Sequence, residues 1–344
     1  MSATEQVGEG GWPLPRETSI LIGHREAERA LLDAYRGGRL PHAWLIGGPP
    51  GIGKATLAYR MARFVLAHPD PAAKAVQSAQ SLAVDPENPV ARRIAAQAHT
   101  DLLTLERTEN ENGVMRTVIT VDQVRRTVSF FGSTAGEGGW RVCIVDSTDE
   151  LNAQASNALL KVLEEPPQRA LFLLVSHAPG RLLATIRSRC RRLDLRPLAE
   201  ADVARAAAAA IGRGEDEPEV LKAAAAADGS VARALSFLSG PGLAFREQVQ
   251  KLLATLPAPN PKGLHALGDA LWNDDEAFEA FVDTVREWLE ARLKAAPPEP
   301  RRLARVAAAW EKVNRSVSDV DEFNLDRKPL VFTVFGLLAD AARA

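Results

Sequence analysis

The sequence predicts an α/β domain, in which a parallel sheet carries helices on both of its faces, followed by an all-helical remainder. Three observations favour this class. A short apolar run, Ala43 to Ile46, leads into a glycine-rich loop and then a helical pattern. Further apolar runs alternate with amphipathic segments, which is typical of βαβ units. After Pro197 the strand signals stop and alanine-rich helical patterns take over.

The α/β part begins with a helix. Glu26 to Arg36 places alanines and leucines at helical spacing, and the strand, loop and helix that follow end near Leu66. We predict a short helical insertion in the proline- and alanine-rich segment 68–100. The remaining predicted elements are a strand at 102–105, a helix at 121–131, a strand at 142–145, a helix at 153–163 and a last strong strand at 170–175.

The second half divides into two helical regions. A small helical region is broken at 212–214 and 228–229, and Gly240-Pro241-Gly242 is a predicted linker. Beyond it, Phe278, Phe281, Val282, Val285, Trp288 and Leu289 form one apolar helix face, which we interpret as packing. The predicted domains are therefore 1–197, 198–240 and 241–344.

Composition excludes several classes of protein. The 344 residues carry a net charge of −2, so any DNA contact has to come from a local patch. The sequence lacks an apolar run of about 18 residues, which argues against a membrane partner. Met1 to Pro15 lacks the pattern of a signal peptide and is predicted to be a loose tail of a cytoplasmic protein. The two cysteines predict neither a disulfide framework nor zinc.

The loop from Gly48 to Lys54 fits a phosphate-binding P-loop as far as its lysine. Glycines let backbone N–H groups surround phosphates, and the following helix points its positive end at them. The predicted nucleotide contacts here are Gly48, Gly51, Gly53 and Lys54. The alternative is a glycine-rich turn without a ligand.

The residue after the lysine breaks the pattern. A P-loop places Ser or Thr there to hold magnesium, and this chain has Ala55. Thr56 is a further nucleotide-binding candidate, but it is rotated by about 100° around the helix and does not simply replace that hydroxyl. We therefore predict ATP or ADP that is bound weakly, or retained without turnover.

A second acidic position follows the strand at 142–145. Asp146 ends that strand, as does the magnesium-binding aspartate of P-loop NTPases, and is a nucleotide-binding candidate. The alternative is a strand-end carboxylate that caps the next segment. Ser147 follows it, and Asp149 and Glu150 lie farther along the chain.

Several segments together resemble the AAA+ subunits of bacterial clamp loaders, over almost the whole chain. They are Leu21 to His24, Asn157 to Pro167, Ser176, Ile186 to Cys190, Gly229 to Leu235 and, near the C-terminus, Asn324 to Lys328. The resemblance implies an AAA+ P-loop domain at 1–197, a helical lid at 198–240 and a helical collar at 241–344.

The resemblance also implies roles for single residues. Arg189, in Ser-Arg-Cys, would be an arginine finger that enters a neighbouring subunit's ATP site, although the basic run around it could be a solvated loop. Ser176 would be sensor 1 and Arg233 sensor 2, with a surface helix residue as the alternative for Arg233. Arg125 and Arg126 could contact DNA phosphates, but an ordinary exposed helix face is slightly favoured.

The implied subunit type depends on where this chain differs from the motor subunits of the family. Motor subunits of this family, gamma and tau, have Ser or Thr where this chain has Ala55, a glutamate where it has Ser147, and a four-cysteine zinc module. The resemblance is therefore to the non-motor delta-prime branch, with gamma/tau and delta subunits, the sliding clamp and primed DNA as implied partners. Own ATP turnover would be absent or very weak, and polymerase activity would belong only to the holoenzyme. The alternatives are a self-sufficient P-loop ATPase, in which Thr56 or Asp149 replaces the missing groups, and a pure scaffold.

Overall fold

A computed structural model of the chain describes residues 11–109, 115–132, 139–239, 242–272, 274–294, 299–323 and 325–343. The chain divides into two compact units, Met1–Leu235 and Ser236–Ala344. The predicted linker at 240–242 begins outside the described residues, and the predicted division at residue 197 lies inside the first unit.

The first unit is built on a sheet of five parallel strands. They are β1 (Ala43–Gly47), β2 (Leu102–Glu106), β3 (Arg141–Asp146), β4 (Ala170–Ser176) and β5 (Arg191–Asp194), in the spatial order β2-β3-β4-β1-β5. Because parallel neighbours need crossover connections, the chain forms at least one helix between each pair of consecutive strands. The predicted parallel sheet is confirmed.

Alternate residues of the central strands enter two separate cores. On one face Trp44 and Ile46 pack with side chains of β3, β4 and the neighbouring helices. On the other face Leu45 and Phe172 pack with Val124 and Leu159 from helices of the opposite layer. Since side chains alternate along a strand, a sheet covered on both faces requires apolar residues at every position. The predicted helices on both faces are confirmed.

The helices of the α/β layers are α1 (Arg25–Arg36), α2 (Lys54–Ala67), α3 (Lys74–Ser78), α4 (Pro89–Ala95), α5 (Val121–Gly132), α6 (Ala153–Glu164) and α7 (Ala184–Arg187). Four of them, α1, α2, α5 and α6, agree with the predicted positions to within a few residues, and α7 has no counterpart in the prediction. The insertion predicted in segment 68–100 is formed by α3 and α4. Their buried Val76 and Ile94 belong to the same core as α2, so this segment is part of the domain.

The fifth strand has no counterpart among the predicted elements, of which the last strong strand is 170–175. β5 contains Arg191 and Arg192, and its side chains are mostly exposed. It pairs only with β1 at the edge of the sheet, and the Arg191 guanidinium lies 5.2 Å from the centroid of the Trp44 ring. Two of the four arginines between residues 187 and 192 therefore lie in an edge strand and not in a loop. Charged side chains are common on edge strands.

Three further helices follow β5 in the chain. They are α8 (Glu200–Ile211), α9 (Pro218–Ala226) and α10 (Val231–Ser239). Gly212 ends α8 in the left-handed conformation, and Pro218 begins α9. Both are the residues that these helix ends favour.

The regular secondary structure of the second unit is all helical in its described residues. It contains α11 (Gly242–Ala254), α12 (Pro261–Ala270), α13 (Asp275–Lys294), α14 (Pro300–Phe323) and α15 (Arg327–Ala342). The predicted apolar face of α13 packs in the core of this unit, where the centroids of the stacked Phe281 and Phe335 rings are 6.5 Å apart. Across both units, the described helices include none with the length and apolar character needed to cross a membrane.

Candidate functional site

A cavity of about 420 Å³ lies at the carboxyl end of the sheet, above the glycine-rich loop. Its walls come from the loop, from the end of β3, from the residue after β4 and from helices α8 and α10. Of the predicted nucleotide contacts, five line the cavity, namely Gly51, Gly53, Lys54, Thr56 and Asp146. Ligands of open α/β sheets bind at this edge because the loops that follow the strands meet there.

The loop holds its glycines in conformations that other residues rarely adopt. Gly48, Gly51 and Gly53 have φ angles of 145°, 73° and 98°. A side chain at Gly48 would meet the Leu195 carbonyl oxygen at 2.6 Å, although Gly48 itself does not line the cavity. The loop leads directly into the first turn of α2, whose unpaired N–H groups and positive dipole end favour an anion.

Lys54 is the buried cation of the loop, with 3% of its surface exposed. Its ammonium group donates a hydrogen bond to the Pro49 carbonyl oxygen. Burial lowers the pKa of Lys54 to about 8, although the nearby carboxylates of Asp146 and Asp149 favour the charged form. A phosphate in the cavity would add negative charge beside the ammonium and hold it protonated.

Asp146 ends β3 beside Glu106, its register partner on β2. Burial, together with the charges of Glu106 and Glu150, raises the pKa of Asp146 to about 6 against the opposing charge of Lys54. The aspartate is thus close to its titration range at neutral pH. A cation in the cavity would stabilise its ionised form.

The residues fit the phosphates of a nucleotide better than they fit its magnesium. The strained glycines, the start of α2 and Lys54 supply donors and positive charge. The methyl side chain of Ala55 lines the cavity where a P-loop supplies a hydroxyl ligand, and the Thr56 side chain occupies the next position. Asp146 is therefore left without its usual hydroxyl companion for a metal ion.

Asp149 is engaged with the protein itself. Its carboxylate accepts hydrogen bonds from the Ser176 hydroxyl at 2.9 Å and from the backbone N–H groups of His177 at 2.6 Å and Ala178 at 3.1 Å. Ser176, the predicted sensor 1, is buried in this arrangement and does not line the cavity. Its neighbour His177 lines the cavity instead, and burial lowers the pKa of that imidazole.

The predicted sensor 2 residue, Arg233, lies on α10 but does not line the cavity. Its guanidinium pairs with the Asp228 carboxylate at 3.2 Å. The start of the same helix does contact the loop, because the Ala232 N–H donates to the Gly51 carbonyl at 3.1 Å. The structure therefore brings the helix, although not its arginine, to the phosphate loop.

The segment 12–22 forms one wall of the cavity. Arg63 on α2 donates to the carbonyls of Pro15, Arg16 and Thr18, at 3.1, 3.2 and 2.7 Å. The predicted loose tail is therefore wrong for residues 12–15, while residues 1–10 lie outside the described ones. Its polar, glycine- and proline-rich sequence gave no signal of this role.

Arg189 lies away from the cavity, just after α7. Its guanidinium donates to the Glu164 carboxylate at 2.5 Å and to the Thr185 carbonyl at 2.9 Å, and 33% of the side chain is exposed. Cys190 beside it is partly buried, and burial raises the pKa of its thiol to about 12. The thiol is therefore unreactive at neutral pH, and the arginine is the exposed chemical group of this motif.

The candidate DNA contacts, Arg125 and Arg126, are both exposed on α5. Arg125 forms an ion pair with Asp122 one turn earlier, at 2.9 Å. Both features agree with an ordinary exposed helix face as well as with a phosphate contact, so the DNA contact stays a prediction.

Comparison with known families gives one model that covers half of the chain. The model described as "DNA polymerase III, delta subunit" matches residues 23–199. The match contains the loop, Asp146, Ser176 and Arg189, and ends before α8.

Curated relatives agree with the family match. The DNA polymerase III delta-prime subunit of Pseudomonas aeruginosa is 40% identical over 156 residues, which is 45% of this chain and 43% of the relative. The Escherichia coli delta-prime subunit is 32% identical over 224 residues, 65% of this chain and 62% of the relative. The chain therefore spans less than two thirds of the length of these relatives. A DNA polymerase III gamma subunit-related structure from Thermotoga maritima covers 90% of this chain and 99% of its own at 17% identity, with a TM-score of 0.40.

Proposed function

The chain belongs to the DNA polymerase III delta-subunit family, with delta-prime subunits among its relatives, and from this premise we propose that it is a non-motor subunit of a clamp-loader complex. In this role it supplies Arg189 to the ATP site of a neighbouring motor subunit. It thereby helps to load the sliding clamp on primed DNA during replication.

The observation that carries the proposal is the contrast between two sites on one domain. The cavity has a P-loop lysine but presents Ala55 where a magnesium-binding hydroxyl is needed, and Ser147 follows Asp146 where a motor subunit has a glutamate. Arg189 lies outside that cavity and is one third exposed. Magnesium-dependent hydrolysis needs groups that the first site lacks, whereas an exposed arginine can stabilise a phosphoryl transfer elsewhere.

The partners in this proposal are the gamma/tau and delta subunits, and, in the assembled complex, the clamp and primed DNA. The helical unit Ser236–Ala344 would serve as the collar that joins the subunits, and the helices α8 to α10 would form the lid. With a net charge of −2, the chain would contribute to DNA binding as one member of a ring and not as a polycation.

The cavity in this proposal holds ATP or ADP weakly and without turnover. The glycines and Lys54 support phosphate binding, and the absent hydroxyl at position 55 argues for weak magnesium binding. The Asp149 contacts argue against the alternative of a self-sufficient ATPase, because three hydrogen bonds hold its carboxylate against the end of β4 and the following turn, whereas a general base has to be oriented towards a water molecule.

The proposal is tested by reconstitution with purified gamma and delta subunits, a sliding clamp and primed DNA. The isolated chain should show no ATP turnover, and its omission from the mixture should abolish clamp loading. A steady turnover by the isolated chain that disappears in Lys54→Ala would instead support the self-sufficient ATPase. Full clamp loading in a mixture that lacks the chain would show that the chain is not a required subunit of the complex.

A further inference from the structure

Glu164 and Arg189 form an ion pair between two different elements of the first unit. Glu164 is the last residue of α6, and the buried side chain of Leu163 anchors that end of the helix. Arg189 follows α7, where buried Ile186 fixes the turn. The Glu164 carboxylate meets the Arg189 guanidinium at 2.5 Å, with side-chain exposures of 48% and 33%.

The place of Glu164 is unfavourable for its own helix. A negative side chain at the carboxyl end opposes the helix dipole, and the following Glu165 adds to that charge. Pro166 then ends the helix, so the carboxylate stays at the last turn. The ion pair with Arg189 offsets this unfavourable interaction with the helix dipole.

The Arg189 guanidinium keeps binding capacity while it is paired. Two of its five N–H groups are used, one by Glu164 and one by the Thr185 carbonyl. In the part of the chain that the structure describes, the other three N–H groups have no acceptor. An approaching phosphate can therefore accept a hydrogen bond from one of these N–H groups without displacing Glu164.

We infer that Glu164 is a positioning residue, which holds Arg189 in the rotamer that meets the phosphates of a neighbouring nucleotide. The inference rests on the proposed function, because it needs Arg189 to act in a neighbour's site. An unrestrained arginine loses side-chain freedom when it binds, and contact with Glu164 and Thr185 removes part of that freedom beforehand. Ordering one such side chain corresponds to about a two- to ten-fold change in rate.

The experiment uses the reconstituted clamp-loader complex with the full chain carrying Glu164→Ala, Glu165→Ala, Arg189→Ala or the double change Glu164→Ala with Arg189→Ala. DNA-stimulated ATPase is measured as kcat and as the KM for ATP, with assembly checked by co-elution. Glu165→Ala is the matched control, because it removes the adjacent carboxylate and leaves the Arg189 pair in place. Both glutamates are exposed, so all variants should fold.

Glu164→Ala should lower kcat about two- to ten-fold without a change in the KM for ATP, and Glu165→Ala should match the wild type. The double variant should be no slower than Arg189→Ala alone, because Glu164 acts only through that arginine. A loss that persists in the Arg189→Ala background, an unchanged kcat or a faster kcat would overturn the positioning role. An Arg189→Ala complex with normal activity would instead overturn the proposed finger.

Discussion

The hydroxyl of Ser176 donates a 2.9 Å hydrogen bond to the carboxylate of Asp149, across 27 residues of sequence. Ser176 ends the central strand β4, and Asp149 lies in a single turn that follows β3. The same carboxylate accepts hydrogen bonds from two backbone N–H groups of the turn after β4. Asp149 therefore fixes the strand end beside the cavity, and both of its carboxylate oxygens are bonded to the protein.

Asp149→Ala should destabilise the protein by about 2–4 kcal/mol, because hydrogen bonds to a charged group contribute about 1.5–3 kcal/mol each and do not add fully. Ser176→Ala removes one of the three bonds and should cost less. Urea unfolding of the purified variants measures both changes. An Asp149→Ala protein as stable as the wild type would show that these bonds do not hold the strand end.

Ala55→Thr should make nucleotide binding dependent on magnesium. Wild-type binding of ADP, measured by calorimetric titration, should be weak and should change little when EDTA replaces magnesium. The added hydroxyl should tighten binding with magnesium by about 1 kcal/mol, roughly five-fold. Thr56→Val is the matched control for the rotated hydroxyl and should leave the magnesium dependence as it is. A wild-type protein that already requires magnesium would contradict this account of Ala55.

Asp146 should give stability that is lost as the pH rises. Its pKa is raised from 3.8 to about 6, so between these values the folded protein holds a proton that the unfolded chain has released. The unfolding free energy of the wild type relative to Asp146→Asn should therefore fall by about 2–3 kcal/mol from pH 4 to pH 7. Urea unfolding at a series of pH values tests this, and parallel pH profiles would mean that burial does not hold the proton.

A chain that ends at Ser239 should fail to assemble with motor subunits. The helices α11 to α15 have their own core, in which Phe281 and Phe335 are fully buried, and the proposal assigns ring assembly to them. Co-elution of the truncated and full chains with gamma subunits gives the comparison. Normal affinity of the truncated chain would place the assembly surface in the first unit.

Of the four strands that the sequence predicts, β1, β3 and β4 lie inside the sheet, and β2 is a half-buried edge strand that still has the apolar run of residues 102–105. β1, β3 and β4 consist almost entirely of apolar residues, because side chains of both directions enter a core. β5 lies at the edge and contains two arginines and an aspartate, so it lacks both an apolar run and an alternating pattern. Its pairing with β1 depends on the tertiary fold and has no local sequence signal.

The candidate site likewise has features with a local sequence signal and features without one. The glycine loop, Lys54 and Asp146 could be predicted because each belongs to a contiguous motif with a fixed structural context. Three relationships could not, because their partners are far apart in sequence and the chemistry is not local. These are the Asp149 bonds to the end of β4, the pair of Glu164 with Arg189, and the wall that segment 12–22 adds to the cavity.

The most direct test of the central claim is clamp loading by complexes that contain Arg189→Ala, Arg189→Lys or the control Arg187→Ala. Arg187 is exposed in the same basic run, so its removal changes the charge equally. An arginine finger contributes about 10³- to 10⁵-fold at its own site, and the loss for the whole complex should be smaller because other sites continue. We predict that all three complexes assemble normally and that Arg189→Ala strongly reduces DNA-stimulated ATPase and clamp loading. Arg189→Lys should restore little activity, because an ammonium group lacks the planar fork of the guanidinium. Arg187→Ala should behave as the wild type. Normal loading by an assembled Arg189→Ala complex would contradict the finger and leave a scaffold.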